Sequence, residues 1–168
     1  NDDPIPRPLS LYVHIPFCTS PCFYCGCNRV VTRERAKADA YLARLAREIA
    51  QQGALFDRDR KVIQLHMGGG TPNYLEAGQL RALMEMLRGS FNLAQGDERE
   101  FSIELDPRQA DAALLHELAD MGFNRVSFGV QDFNPEVQQA INRIQPVETT
   151  IEVIQAARAA GFQPVSPD

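Results

Sequence analysis

Apolar and polar residues alternate in four short segments of the chain. The segments are Leu11–Ile15, Val62–Met67, Phe101–Asp106 and Arg125–Val130. Alternation with a period of two residues is typical of β-strands. We therefore predict four strands, and a fifth that begins within Phe162–Asp168.

Between these strands, apolar residues recur at the three- to four-residue spacing of amphipathic helices. Strands that alternate with helices form parallel βαβ units, which are compatible with a doubly wound sheet and with a (β/α) barrel. The predicted helices are Arg33–Gln52, the segment containing Leu80, Leu83 and Leu87, Asp111–Met121, a short stretch from Pro135, and Thr149–Ala160.

One face of the four strands is polar. A closed barrel core is filled with bulky branched side chains, and parallel strands covered on both faces are normally apolar throughout. The polar face therefore predicts an open interior that holds water and a ligand. Its residues are Tyr12, His14, Gln64, His66, Ser102, Glu104, Asp106, Ser127 and Gln131.

The chain has 168 residues, 44% of them hydrophobic, and a formal net charge of −5. We assign residues 11–168 to one domain, after an extended lead-in over residues 1–10 that contains three prolines. An acidic chain without a basic run is a poor binder of nucleic acid, and its apolar runs are too short to cross a bilayer. Because no signal peptide is visible, the sequence predicts a soluble cytoplasmic protein.

All four cysteines lie in one short stretch, and Cys18, Cys22 and Cys25 have the spacing C-x3-C-x2-C. Three thiolates on one loop can hold three irons of a [4Fe–4S] cubane and leave the fourth iron open to a cofactor. Disulfide bonds are an alternative, but nothing in the chain points to an oxidising compartment. A zinc site is another, although zinc prefers paired C-x2-C knuckles that a longer span separates.

The fourth cysteine, Cys27, follows Cys25 too closely to be a comfortable ligand in the same loop. We expect it to be a small, partly buried thiol, as free cysteines often are.

A glycine-rich stretch, Gly68–Pro72, follows the second predicted strand. It lacks the pattern of a Walker loop, and strand ends are where α/β sheets bind ligands. Glycine lets the backbone approach a ligand closely, so we predict a ligand contact here. The alternative is an ordinary turn from strand to helix.

Several of these motifs resemble those of one family. They include the run from Tyr12 through Cys18, Cys22 and Cys25 to Gly26-Cys27-Asn28, and continue with Gly68–Pro72, Ser102–Pro107, Gly129–Phe133 and Asn142-Arg143. Together they resemble the radical S-adenosylmethionine (SAM) superfamily, and within it the oxygen-independent coproporphyrinogen III dehydrogenases of haem biosynthesis. The cysteine spacing indicates the superfamily, and the Gly-Cys-Asn extension indicates the member.

The resemblance implies a fold, two cofactors and a set of site residues. The fold would be a partial (β/α) radical SAM barrel with parallel strands, truncated at about the fifth strand, because family enzymes are far longer. The cofactors would be a [4Fe–4S] cluster on Cys18, Cys22 and Cys25 and one or two SAM molecules. The SAM contacts would be Tyr12 and Tyr24 flanking the cluster, Gly69, Gly70 and Thr71 at the methionine end, and Glu104, Gln131, Arg143 and Asp168.

The resemblance also implies an activity. The enzyme would convert propionates of coproporphyrinogen III to vinyl groups, acting as a monomer that receives its electron from an unidentified donor. A related haem-binding chaperone and a zinc-stabilised binding module are alternative functions. Among the residues, Glu104 has the alternative of pairing with an internal Arg or Lys, and Gln131 and Arg143 that of plain surface residues.

Overall fold

A computed structural model describes residues 7–163 and the backbone of residues 166–167, so the predicted cofactor contact Asp168 lies outside the described residues. The strands are β1 (Leu9–Ile15), β2 (Phe17–Cys18), β3 (Val30–Val31), β4 (Lys61–Gly69), β5 (Asn92–Leu93), β6 (Glu100–Leu105), β7 (Arg125–Phe128) and β8 (Ser166–Pro167).

The helices alternate with the longer strands, as the sequence predicted. They are α1 (Ala36–Gly53), α2 (Ala77–Ser90), α3 (Ala112–Asp120), α4 (Pro135–Ala140) and α5 (Val147–Ala159), with short 3-10 helices at Pro72–Tyr74 and Pro107–Gln109.

The main sheet is parallel, with its principal strands in the order β1-β4-β6-β7-β8. A doubly wound sheet reverses its strand order at a switch point, whereas here each strand lies beside its predecessor in the chain. The architecture is therefore the wall of a partial barrel. Of the two folds that the sequence left open, a doubly wound sheet and a (β/α) barrel, the barrel is the correct one.

The polar residues of neighbouring strands are in register, with Tyr12 opposite His66, His66 opposite Ser102, and Glu104 opposite Ser127. The residues that alternate with them, such as Met67 and Ile103, are completely buried beneath the helices. The predicted polar face is thus a continuous strip across the sheet, and the apolar face carries the core.

Several predicted boundaries were wrong. Strand β1 begins at Leu9, so residues 9–10 belong to the sheet and not to a lead-in, and β4 runs on to Gly69. Strand β7 ends at Phe128, two residues earlier than predicted, and within Phe162–Asp168 only Ser166–Pro167 is described as strand. These ends are set by pairing with a neighbouring strand, which periodicity does not reveal.

The sequence also missed the small parallel pair β2–β3, since two residues are too few to show a period. No helix among the described residues is both long and apolar enough to cross a membrane.

Candidate cluster and cofactor site

A cavity of about 260 Å³ opens at the carboxyl ends of the parallel strands. It collects ten of the eleven described residues that the resemblance singled out, and Tyr12 is the described residue that is absent from its lining. The ten are Cys18, Cys22, Tyr24, Cys25, Gly69, Gly70, Thr71, Glu104, Gln131 and Arg143.

The cysteine loop is tied to the barrel on both sides. Thr32 N donates to the carbonyl of Cys18 at 2.9 Å, next to the β2–β3 pair. On the other side, Phe23 N donates to the carbonyl of Ile141 at 3.0 Å, and Asn142 Nδ2 donates to the carbonyl of Pro21 at 2.7 Å. The loop is therefore held in place by protein contacts of its own.

All four cysteines are free thiols, so the disulfide alternative is wrong. Cys22 is buried and Cys18 and Cys25 are partly buried. Cys27 is exposed, which corrects the prediction of a partly buried thiol. It lines the same cavity, and its backbone N–H donates to Cys25 Sγ at 3.4 Å.

The surroundings of the thiols differ in their electrostatics. Burial raises the pKa of Cys18, and this effect outweighs a hydrogen bond with the Thr71 hydroxyl, which lowers it. Burial also opposes ionisation of Cys25, but hydrogen bonds from Cys27 and the nearby Arg29 outweigh it and lower the pKa of Cys25. Arg29 also orders the loop, donating to the carbonyls of Cys25 at 2.6 Å and Cys22 at 3.2 Å.

Three thiols in one cavity wall fit a cubane cluster, in which each thiolate binds its own iron. Within the described part of the chain, no three His, Cys, Asp or Glu side chains converge on one point as ligands of a single ion would.

Each glycine of the run makes room for a different neighbour. A Cβ on Gly68 would lie 2.7 Å from Glu104 Oε2, and one on Gly70 would lie 2.8 Å from the carbonyl oxygens of Pro16 and Phe17. Gly69 has a φ of +117°, and a Cβ there would lie 2.6 Å from the His14 ring. Side chains of the polar strip and the backbone before the cysteines thus fill the space beside these glycines, so a larger residue would not fit.

Glu104 is held by His66, whose Nε2 lies 2.9 Å from Oε1 of the carboxylate. The other ring nitrogen of His66 lies 2.7 Å from Ser102 Oγ, and Gly69 N donates to Glu104 Oε2 at 3.4 Å. The alternative in which Glu104 pairs with an Arg or Lys is therefore wrong. Its side chain is 45% exposed, so a ligand in the cavity can reach it.

Tyr12 lies behind this pair and not in the cavity wall. Its ring stacks on His66 with centroids 5.7 Å apart, and its hydroxyl lies 3.1 Å from His14 Nδ1. His14 Nε2 in turn donates to the carbonyl of Asn28 at 2.8 Å. Tyr12 thus belongs to a polar network that joins the end of the cysteine loop to Glu104.

Arg143 is buried, which contradicts the alternative that made it a surface residue. It donates to the carbonyl of Gly129 at 2.7 Å, and its Nη1 lies 3.6 Å from Cys22 Sγ. Gln131 is exposed at the cavity rim with a φ of +61°.

The sequence reasoning missed three charged residues of the cavity as site residues, namely Arg29, Asp106 and Arg108. Asp106 is on the polar face that the alternation identified, which was the available signal for it. Arg29 and Arg108 lie in irregular or 3-10 segments, where no hydrophobic period exists to interpret.

Comparison with known proteins connects this site to a family. Residues 12–166 match the family described as the radical SAM superfamily. The oxygen-independent coproporphyrinogen III oxidase of Pseudomonas aeruginosa is 50% identical over 162 residues, which is 96% of this chain and 35% of the relative. The enzyme of the same name from Escherichia coli is 49% identical over an equal span. The chain thus spans about a third of the length of these relatives.

Solved structures show the same relationship. A structure described as coproporphyrinogen III oxidase from Escherichia coli, a radical SAM enzyme, superposes with a TM-score of 0.90 at 49% identity, over 95% of this chain and 36% of that one. A radical SAM methyltransferase from Kitasatospora setae has a TM-score of 0.53 at 17% identity, over 90% of this chain and 29% of that one, which is a likeness of fold alone.

Proposed function

The chain belongs to the radical SAM superfamily, and from that premise we propose that its cavity holds a [4Fe–4S] cluster on Cys18, Cys22 and Cys25 together with SAM. One observation carries the proposal: the three thiols, the end of the glycine run and the Glu104 carboxylate face a single cavity. This part of the fold would thus bring the loop motif and the strand-end motifs together as a cofactor site.

The chain's residues have separate tasks in this proposal. When bound and reduced, the cluster supplies the electron that cleaves SAM to methionine and a 5′-deoxyadenosyl radical. The three cysteines hold the metal through thiolates, and Arg29 orders their loop through two backbone carbonyls. Glu104, fixed by His66, presents carboxylate oxygens to the amino or ribose groups of SAM, and Tyr24 offers a half-exposed ring for the adenine.

For the whole protein, we propose the oxidative decarboxylation of coproporphyrinogen III propionates to vinyl groups, giving protoporphyrinogen IX. Each propionate would lose a hydrogen atom to the 5′-deoxyadenosyl radical, then CO2, and one electron to an electron acceptor. The support is the name and the 50% identity of the curated relatives. A cytoplasmic monomer that receives its electron from a separate donor belongs to the same proposal.

Anaerobic reconstitution with iron and sulfide, followed by SAM and dithionite, tests the cofactor assignment. We expect about four irons and four sulfides per chain, from the composition of the cluster, and release of 5′-deoxyadenosine. The matched control is Cys22→Ala, which should release none. A wild-type protein that binds iron and SAM but releases no 5′-deoxyadenosine would contradict the assignment.

A second assay tests the substrate. Coproporphyrinogen III is added under the same conditions, and the porphyrins are separated by chromatography after oxidation. Tight haem binding without any vinyl product would favour the chaperone alternative instead.

A further inference from the structure

The guanidinium group of Arg108 lies in the cavity wall, next to the site that the motifs defined. Arg108 follows the end of β6 in the 3-10 helix Pro107–Gln109, and its side chain is 23% exposed. Neither the cysteine spacing nor the strand periodicity indicates this residue, and the proposed function gives it no task.

One edge of the guanidinium is fixed by Asp106. Arg108 Nε donates to Asp106 Oδ1 at 2.9 Å, and Nη2 donates to Oδ2 at 2.5 Å. Asp106 is itself immobilised, because its backbone N–H and C=O both bond to the Asn73 amide at 3.0 Å. Arg108 is therefore held in one orientation before any ligand arrives.

The other edge of the guanidinium is open. Asp106 occupies the edge formed by Nε and Nη2, and Nη1 has no hydrogen-bond partner among the described residues. The edge formed by Nη1 and Nη2 is a second fork, and its two parallel N–H groups match the oxygens of a carboxylate. A point charge such as Lys would lack this match.

The charges around Asp106 favour an anionic ligand. Arg143 Nη2 lies 3.8 Å from Asp106 Oδ1, so two guanidinium groups share one carboxylate. A second anionic group beside these two guanidinium groups would therefore be favourable, because buried charges are normally paired.

We propose that Arg108 binds a carboxylate of the cavity's ligand through two parallel hydrogen bonds from Nη1 and Nη2. This inference rests on the proposed function, which supplies two sources of that group: the methionine part of SAM and the propionates of the porphyrinogen. Asp106 keeps the fork aimed, and Arg143 adds a second positive charge.

The test compares the binding of three probes to the reconstituted protein. SAM and decarboxylated SAM are titrated by calorimetry, and coproporphyrin III is titrated by fluorescence. The variants are Arg108→Gln, which removes the charge and the fork, and Arg108→Lys, which keeps the charge alone. Arg81→Gln is the matched control, because Arg81 pairs with Glu117 on the outer helices at 3.4 Å.

Each source predicts its own pattern. If Arg108 binds SAM, Arg108→Gln weakens SAM binding about 10- to 100-fold, as loss of a charge-assisted pair does, and leaves decarboxylated SAM unaffected. If it binds a propionate, the same loss falls on coproporphyrin III and spares both forms of SAM. Arg108→Lys should lie between wild type and Arg108→Gln, and Arg81→Gln should match wild type.

Two outcomes overturn the inference, and they are distinguishable. If wild type binds the probes and Arg108→Gln binds all of them equally well, the carboxylate role of Arg108 is wrong and the proposed function stands. If reconstituted wild type binds neither SAM nor coproporphyrin III, both are wrong. Should Arg108→Gln not fold because Asp106 loses its partner, the double variant Asp106→Asn/Arg108→Gln replaces it.

Discussion

Arginines cluster at both ends of the parallel sheet, and they do different things there. At the amino end, Arg58, Arg88 and Arg99 line a second cavity and donate to backbone carbonyls. Arg58 Nη2 bonds to the carbonyl of Gly89 at 2.5 Å, and Arg88 bonds to that of Met121. These carbonyls lie at the ends of α2 and α3, where a cation is favourable and the carbonyls lack helical partners.

At the carboxyl end, the partners of the arginines are side chains as well as carbonyls. Arg108 bonds to the Asp106 carboxylate and Arg143 contacts the Cys22 thiol. Carbonyls at helix ends offer no further chemistry, whereas thiols and carboxylates bind metals and change protonation. Arginines are present at both ends of the barrel, so their presence in the sequence does not distinguish the two ends. Their hydrogen-bond partners do: backbone carbonyls at the stabilising end, and thiol and carboxylate groups at the reactive end.

The largest expected effect tests whether the carboxyl end depends on three thiols. Cys18→Ala, Cys22→Ala and Cys25→Ala should each abolish cluster binding, because each removes one of three protein ligands. Cys27→Ala should leave the cluster largely intact. Iron and sulfide analysis of the four variants measures this, and equal loss in all four would make Cys27 a ligand.

A second experiment compares the two ends of a single strand. Glu104→Ala should weaken SAM binding about tenfold to a hundredfold, since a charge-assisted hydrogen bond is worth about 1.5–3 kcal/mol. Glu100→Ala is the matched control, because Glu100 lies on the same face of β6 at its amino end and pairs with Arg125 at 2.9 Å. Calorimetry on reconstituted protein is the measurement, and equal affinities would remove Glu104 from the site.

The third prediction concerns acid stability at the carboxyl end. Burial raises the pKa of Asp106, but the hydrogen bonds and charge of Arg108, with the charge of Arg143, outweigh it and hold the pKa below its ordinary value. A carboxyl group whose pKa is lowered by folding stabilises the folded state at pH values above its pKa in the unfolded chain, which is about 4. That stabilisation disappears as the pH falls through the pKa of the folded state.

Asp106→Asn should therefore lower the free energy of unfolding by about 1.5–3 kcal/mol at pH 7, and by less near pH 3. Urea unfolding of the metal-free protein at the two pH values measures the difference. A deficit that is equal at both would show that the charge of Asp106 contributes nothing.

The smallest expected effect is at the amino end. Arg99→Ala removes hydrogen bonds to the carbonyls of Gly122 at 3.1 Å and Gln95 at 2.9 Å. We expect a loss of about 1 kcal/mol in unfolding free energy, as for an ordinary hydrogen bond, and unchanged SAM affinity. Weaker SAM binding in this folded variant would contradict the conclusion that the amino end contributes to stability alone.

The sequence by itself determined the order of strands and helices, the polar face and the three cysteines of the loop. These features are local: a period of two or four residues, or a spacing within eight, is complete in a short segment. The strand ends were less predictable, because Gly69 belongs to β4 only through its pairing with Ile15 of β1.

Only the tertiary structure decided which residues of the site are in contact with one another. In the folded protein, Glu104 pairs with His66, and Arg108 is held by Asp106. Tyr12 stacks on His66 outside the cavity wall, and Arg143 is buried. The structure also showed that the glycines leave room for His14 and Glu104. Contacts such as that of Arg143 with Cys22 join residues 121 positions apart, and no local pattern encodes a distance that depends on how the whole sheet is assembled.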